Sequence, residues 1–434
     1  MFRYRMMMFI LIFLILFLQS LFASDHLKST PQSIDFGYVP LDKAVSKNII
    51  LKNNTDNQIS NVSISIPDTL LSYYSSQFIS TSIEPFDTTT ITLSYCCHEM
   101  FVTCDGKISI HYTCNDSLYS REVEVKGTPA LTRGWNWISF PRLNRKSKEG
   151  YELSEILEPV KPFARTVLCK GGVMENIEHT WAHMDLYHYD DTSFIKLLML
   201  GEDKQVYHFE QNEDSLSLLP ADTSFDLQKG YNWIGYWLPH SQNPEQAFGE
   251  HWSKVHAIKA ENWFYINEKF VDEDYQILFD LPAHKPHCLN YGRGYVIIME
   301  ESVKDFTWSE SKNKLVKETS CTRESYFDHK TKANYEVIDV INIPEGVEEI
   351  GAFIIKDVCI GSGFVDEHSS AQILLYPSDY YDTSQEIILY LKYQGKPETR
   401  NAHYVLYDMS TRKFVDKKLT MNTQIYNIIK IRDE

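Results

Sequence analysis

The sequence predicts a mainly β protein built from several sandwich-like modules, and three observations carry that reading. Apolar and polar residues alternate with period two in runs of strand length; turn residues separate the runs at short spacing; and aromatic residues make up 13% of the 434 residues, with 27 Tyr, 23 Phe and 8 Trp. Strict alternation places one face of a strand in a core and the other in solvent. Aromatic side chains suit a pleated, half-buried surface better than a helix interior. A chain of this length has room for about three units, each large enough to bury its own core. The 43% hydrophobic and 23% charged content is that of ordinary globular domains.

The N-terminus has a separate logic. Arg3 and Arg5 precede an apolar run from Met6 to Leu18, and a small residue, Ala23, stands before polar chain begins. Basic flank, short apolar core and small residue are the signature of a secretory signal peptide over residues 1–23. The run is shorter than the ~20 residues that span a bilayer. The first cysteine is Cys96, so no lipid-anchor acceptor follows the run. The expected location is secreted, extracellular or on the outer cell surface, with the periplasm as a further compartment, and with no membrane span in the mature chain.

A net charge of −17 opposes nucleic-acid binding, which draws its affinity from Lys/Arg contacts to phosphates. The expected partners are instead an envelope or extracellular protein, or a glycan. Cys96, Cys97, Cys104 and Cys114 crowd into one stretch, while Cys169, Cys288, Cys321 and Cys359 are scattered. In an oxidising compartment the cluster makes candidate disulfides. Free buried thiols and a metal site including His98 are the competing readings; adjacent cysteines on a strand point to opposite faces, which disfavours a tetrahedral site.

From residue 30 to 129, the runs Val62–Ile66, Thr90–Tyr95 and Lys107–Tyr112 alternate as sandwich strands do. Ile34-Asp35-Phe36-Gly37-Tyr38-Val39-Pro40, the Asn53-Asn54 turn, Glu84-Pro85-Phe86 and the closing Val123–Thr128 also carry a resemblance to the Hydin-type immunoglobulin-like module of exported bacterial proteins. That resemblance implies an immunoglobulin-like sandwich serving as spacer or binding platform, without catalysis. The chain departs from the family pattern at Tyr95-Cys96-Cys97.

An internal echo follows. Arg133-Gly134-Trp135-Asn136-Trp137-Ile138-Ser139 recurs as Lys229-Gly230-Tyr231-Asn232-Trp233-Ile234-Gly235, and subtracting 134 from 230 gives a period of 96. Each copy continues through a proline (Pro141, Pro239), a weakly helical polar stretch and aromatic-rich strands. The period predicts two similar β-rich units with short helices, over residues 130–228 and 229–311, or two halves of one pseudo-symmetric domain. The second copy closes on Gly294–Ile298, whereas the first offers no clean closing strand. The unit resembles a repeat of exported bacterial surface proteins that opens on a Gly-Trp-Asn-Trp-Ile-Ser-Phe-Pro motif.

Residues 312–333 read as a polar linker, and 334–434 as a C-terminal β-sandwich with strand-length runs at Val337–Ile341, Ala371–Tyr376 and Glu386–Leu391. The stretch Glu348–Phe353 with Asp357–Gly361 resembles a β-sandwich module of large secreted bacterial proteins.

No catalytic, metal or cofactor residue is assigned. His179 and His183 stand at i, i+4, but without the glutamate a zinc protease uses as base; His284 with His287-Cys288 is a second weak metal candidate. Gly171-Gly172 and Gly292-Arg293-Gly294 fit turns rather than phosphate loops. Trp135, Trp137, Trp233, Trp237 and Trp263 are candidate ligand-stacking residues, with core packing as the stronger use of such rings. The functional expectation is a non-enzymatic secreted or surface-associated protein with a structural, adhesive or binding role. The alternative is a glycan-binding protein or carbohydrate-active enzyme with its site in the Trp-rich centre.

Overall fold

A computed structural model describes residues 26–78, 80–143, 152–184, 189–201, 206–207, 209, 217–270, 286–310, 325–355, 358–377, 385–408, 411, 413–421 and 426–432. The expected leader, His284 and Cys321 lie outside them. The chain is mainly β, as the alternation predicts, and it divides into two compact units. The first comprises residues up to Gly37, Ala44–Cys96 and Thr103–Thr128; the second comprises Tyr38–Lys43, Cys97–Val102 and Pro129 onward.

The first unit is an immunoglobulin-like sandwich. One sheet has the order Leu27–Thr30, Val45–Asn53, Thr88–Tyr95, Tyr74–Phe78; the other is built on Ile59–Ser65, Cys104–Cys114 and Ser117–Thr132. Its core rings are Phe36, Tyr74 and Tyr95, whose centroids lie 5.2–5.9 Å apart. Gly127 has no Cβ because one would come within 2.5 Å of the Tyr95 ring. Asn53 is buried and explains the Asn-rich turn: its Nδ2 donates to the carbonyls of Asn57, Ile83 and Glu84, and its Oδ1 accepts from Thr55 N at 2.9 Å. One side chain thus satisfies backbone groups from two loops.

In the second unit the echo becomes a structural repeat. Gly134–Ile138 pairs antiparallel with Ile195–Met199, which pairs with Ala164–Cys169, which pairs with Gly172–Ile177. Gly230–Gly235 pairs in the same way with Gly294–Met299, then Val255–Lys259, then Phe264–Ile266. The registers coincide: Gly134 faces Met199 as Gly230 faces Met299, and Ala164 faces Met199 as Val255 faces Met299, with a bulge one step later in both. A short helix, Leu153–Ile156 in one copy and Pro244–Phe248 in the other, crosses between the first and second strands. The closing strand missed in the first copy is Ile195–Met199. It lacks the glycine that opens Gly294–Met299 because Phe194 stands in that place.

Two asparagines in each copy do the same work. Asn136 Nδ2 donates to the Thr132 and Gly134 carbonyls, and Asn232 Nδ2 to those of Gln228 and Gly230. Asn176 closes on Lys161 and Ala164 as Asn267 closes on Trp252 and Val255. The two copies meet about a pseudo-twofold axis, since Ser139 N donates to Gly292 O at 3.0 Å and Gly235 N donates to the equivalent Thr192 O at 2.8 Å.

The C-terminal part is a two-sheet sandwich: Ala371–Leu375, Glu336–Ile341, Tyr426–Ile431, Tyr404–Asp408 and Lys413–Val415 over Val358–Phe364, Val347–Ile355, Ile388–Tyr393 and Thr399–Asn401. The described end of the expected linker is packed rather than free: Phe327 is buried, and Tyr326 N donates to the buried Glu349 carboxylate at 2.7 Å. A polar composition hid this anchor, because one aromatic residue and one backbone donor suffice to fix it.

Candidate functional site

The second unit places an aromatic layer where the two repeats and the C-terminal sandwich converge: Trp137, Phe194, Phe264, Val296, Tyr335, Val337, Leu374 and Tyr376, with Trp233 half-buried at its margin. Trp137 and Trp233 are pseudo-symmetric mates, and Phe194 stacks between them at 5.5 and 4.9 Å. A ring this near the axis is possible on one side only. Its mate is Gly294, where a Cβ would come within 2.5 Å of the Phe194 Cβ.

Lys196 enters the same layer 1% exposed. Its ammonium lies 3.7 Å from the Trp137 ring centroid and 4.6 Å from that of Trp233, and donates to Ala333 O at 2.7 Å and Asn334 Oδ1 at 3.3 Å. Ring faces and carbonyls replace the lost water. Burial, helped by the nearby charge of Lys259, pushes the Lys196 pKa down to about 7. Burial likewise lowers Lys259 to about 8, against a raising influence from Glu336; Lys259 donates to Tyr335 O and lies over the Tyr335 ring. Gln372 closes the edge strand Phe264–Ile266, accepting from Phe264 N at 2.9 Å and donating to its carbonyl at 3.1 Å. A side-chain amide thereby stands in for a neighbouring strand.

A second cluster surrounds Arg293, which is buried. Its Nη2 lies 3.0 Å from Asp42 Oδ2 and 3.4 Å from Glu261 Oε2. His98 Nδ1 lies 2.8 Å from Asp42 Oδ1, and Asn262 Nδ2 donates to Asp42 Oδ2 at 3.0 Å. Glu261 also accepts from Trp137 N at 2.7 Å. For Asp42, burial alone would raise the pKa, but Arg293 and His98 together hold it below the ordinary value. For Glu261 burial prevails over Arg293, and its pKa is raised. Sequence reading assigned nothing to Arg293, Glu261 or Asp42, because the three are brought together only by the fold; Gly292-Arg293-Gly294 gave a turn, which it is.

The expected candidates are distributed as follows. Trp137, Trp237 and Trp263 are 1%, 2% and 6% exposed, so no open ring face remains for a sugar, and this part of the stacking reading is corrected. Trp135 and Trp233 are half-buried, and Trp233 has one face on Phe194. Cys97, Cys104 and Cys114 are free thiols and Cys96 is disulfide-bonded, so no disulfide joins members of the cluster. Cys104 and Cys114 are the two ends of one strand, ~30 Å apart at the usual rise, and cannot meet. The Cys97 thiol donates to Glu99 O. His179 occupies a turn at φ 61° before the strand Thr180–Met184, not a helix. The His287 ring lies tilted against Trp263, with centroids 5.5 Å apart. Among the described residues no group of three His, Cys, Asp or Glu is gathered as a metal site, and no helix is long and apolar enough to cross a membrane.

No protein-family model matches the chain, and no curated protein matches it in sequence. Among solved structures, the sialic acid binding region of a Streptococcus sanguinis SK1 adhesin, bound to 3'sLn, aligns with 83% of this chain and 80% of its own at 8% identity and TM-score 0.20. A PapD-like domain of human CEP192 aligns over 25% of this chain and 89% of its own at 9% identity and TM-score 0.22. The Vibrio cholerae VesB protease aligns over 24% of this chain at 10% identity and TM-score 0.20; the match spans 32% of the protease.

Proposed function

We propose that the chain is an exported, non-enzymatic protein of β modules, secreted or held at the cell surface, whose role is structural, adhesive or binding. The observation that carries the reading is the use made of its most functional-looking groups. Trp137, Trp237 and Trp263 are packed as core, and Lys196 and Arg293 are buried against partners within the chain. These groups serve as internal cement between modules, and the work is left to the surfaces. The leader-like N-terminus and the resemblances of the three regions to exported modules support the same reading. Its rival is a glycan-binding protein or carbohydrate-active enzyme with its site in the Trp-rich centre.

Cell fractionation coupled to pull-down from the envelope tests the proposal. The expected result is a chain lacking residues 1–23, recovered outside the cytoplasm with a defined envelope or extracellular partner. Recovery of the leader-bearing chain from cytosol would overturn it.

A further inference from the structure

The pseudo-twofold is broken at one place that bears on binding. In both repeats the second and third strands are joined by a two-residue turn: Lys170-Gly171 between the paired Cys169 and Gly172, and Glu261-Asn262 between Ala260 and Trp263, where Ala260 N donates to Trp263 O at 2.9 Å. Lys170 therefore occupies the place of Glu261. Glu261 accepts from the outward-pointing N–H of Trp137 at 2.7 Å. The mate of Trp137 is Trp233, and the residue matching Glu261 on its side is a lysine, which has no acceptor to offer.

The strand register extends the point. Alternate N–H groups of a strand with one neighbour point outward. The outward set in the first repeat includes Trp137 and Ser139; in the second it is Tyr231, Trp233 and Gly235. Gly235 N donates to Thr192 O, while the N–H groups of Tyr231 and Trp233 have no partner among the described residues. Tyr231 is 59% exposed, and Lys170 and Lys229 are exposed without an ion pair among the described residues.

We propose that the outer edge of Gly230–Gly235, through the N–H groups of Tyr231 and Trp233 and with Lys170 in the place Glu261 holds in the other half, docks an extended acidic peptide of a partner protein. Two donors spaced two residues apart on an open strand edge are what an extended backbone pairs with. The flanking lysines complement acidic side chains on a chain that is otherwise strongly negative. A saccharide is disfavoured because Trp233 already gives a face to Phe194 at 4.9 Å. The inference rests on the binding role proposed above and specifies one surface for it.

The test is fluorescence anisotropy of the intact mature chain with a labelled peptide of alternating glutamate and valine. A lysine–valine peptide serves as charge-reversed control and oligogalacturonate as competitor. Saturable binding of the acidic peptide alone is expected. Lys170→Glu, which supplies the missing carboxylate internally, weakens it about tenfold or more, as does Tyr231→Pro, which removes one outward donor while sparing the paired side. Lys170→Glu is a surface change and decides the matter if the proline variant fails to fold. The inference is overturned if the wild-type chain does not bind, if Lys170→Glu binds unchanged, if the basic peptide binds equally, or if oligogalacturonate displaces the peptide at equal concentration. A partner captured from the envelope alongside a negative peptide titration would sink this surface and leave the general binding role standing.

Discussion

Phe194 and Gly294 occupy mated positions on the pseudo-twofold, so substitutions at the two sites should couple with a definite sign. Phe194→Ala removes a ring that is fully buried and stacked between Trp137 and Trp233 at 5.5 and 4.9 Å; the loss of transfer energy plus cavity is ~3–5 kcal/mol. Gly294→Ala places a methyl within 2.5 Å of the Phe194 Cβ, well inside contact distance. The ring has no room to retreat, so the cost lies toward the upper part of the ~1–3 kcal/mol range for overpacking. In the double variant the ring atoms that the methyl would meet at 2.1 and 2.2 Å are gone, and only the Cβ–Cβ approach at 2.5 Å is left for two small alanines to relax. Its destabilisation should therefore fall short of the summed singles by ~1–3 kcal/mol. The eight tryptophans lie between positions 135 and 308, so tryptophan emission during urea unfolding reads the second unit alone. Additive single and double variants would refute the view that one ring on the axis requires its mate to be glycine.

Other expectations follow from the same contacts. The folded pKa values of Lys196 and Lys259, about 7 and about 8, lie below the ordinary 10.5, so the unfolded chain binds more protons across that interval. Stability should rise with pH from 7 to about 9, by up to ~1.4 kcal/mol per unit for each lysine, and Lys196→Met should flatten the slope in pH-dependent urea midpoints. Arg293→Met strands two carboxylates whose side chains are 14% and 26% exposed, and should cost ~2–3 kcal/mol at neutral pH by the same assay, below the full cost of breaking a buried pair. Asp42 has a depressed folded pKa, so its contribution is present above the ordinary 3.8 and lost as pH falls through the lower folded value; Arg293→Met should shrink that acid loss. Asn136→Ala and Asn232→Ala each remove equivalent turn-closing hydrogen bonds, so their costs, ~1–3 kcal/mol, should agree closely in chemical denaturation.

The β class and the repeat were legible because both write themselves into local pattern. Alternation in Thr90–Tyr95 or Lys107–Tyr112 fixes which face is buried, and a Gly-x-Asn-Trp-Ile turn needs its glycine and asparagine in both copies. The closing strand Ile195–Met199 escaped notice because Phe194 and Lys196 replace Gly294 and Val296, a difference that makes sense only once both copies share an axis. The ionic cluster was illegible for another reason. Asp42, His98, Glu261 and Arg293 come from four separate segments, and ion pairs of this kind leave no periodic trace. The cysteine cluster misled because closeness in sequence is not closeness in space: a strand holds Cys104 and Cys114 at its opposite ends.

An aromatic centre that is cement between modules, and not a ligand platform, should ignore soluble sugars. Titrating the folded mature chain with a panel of soluble polysaccharides while following tryptophan emission tests it most directly. No saturable change is expected with any member, because Trp137, Trp237 and Trp263 have no open face. A saturable shift that disappears in Trp233→Ala or Trp135→Ala, with the fold intact, would contradict it.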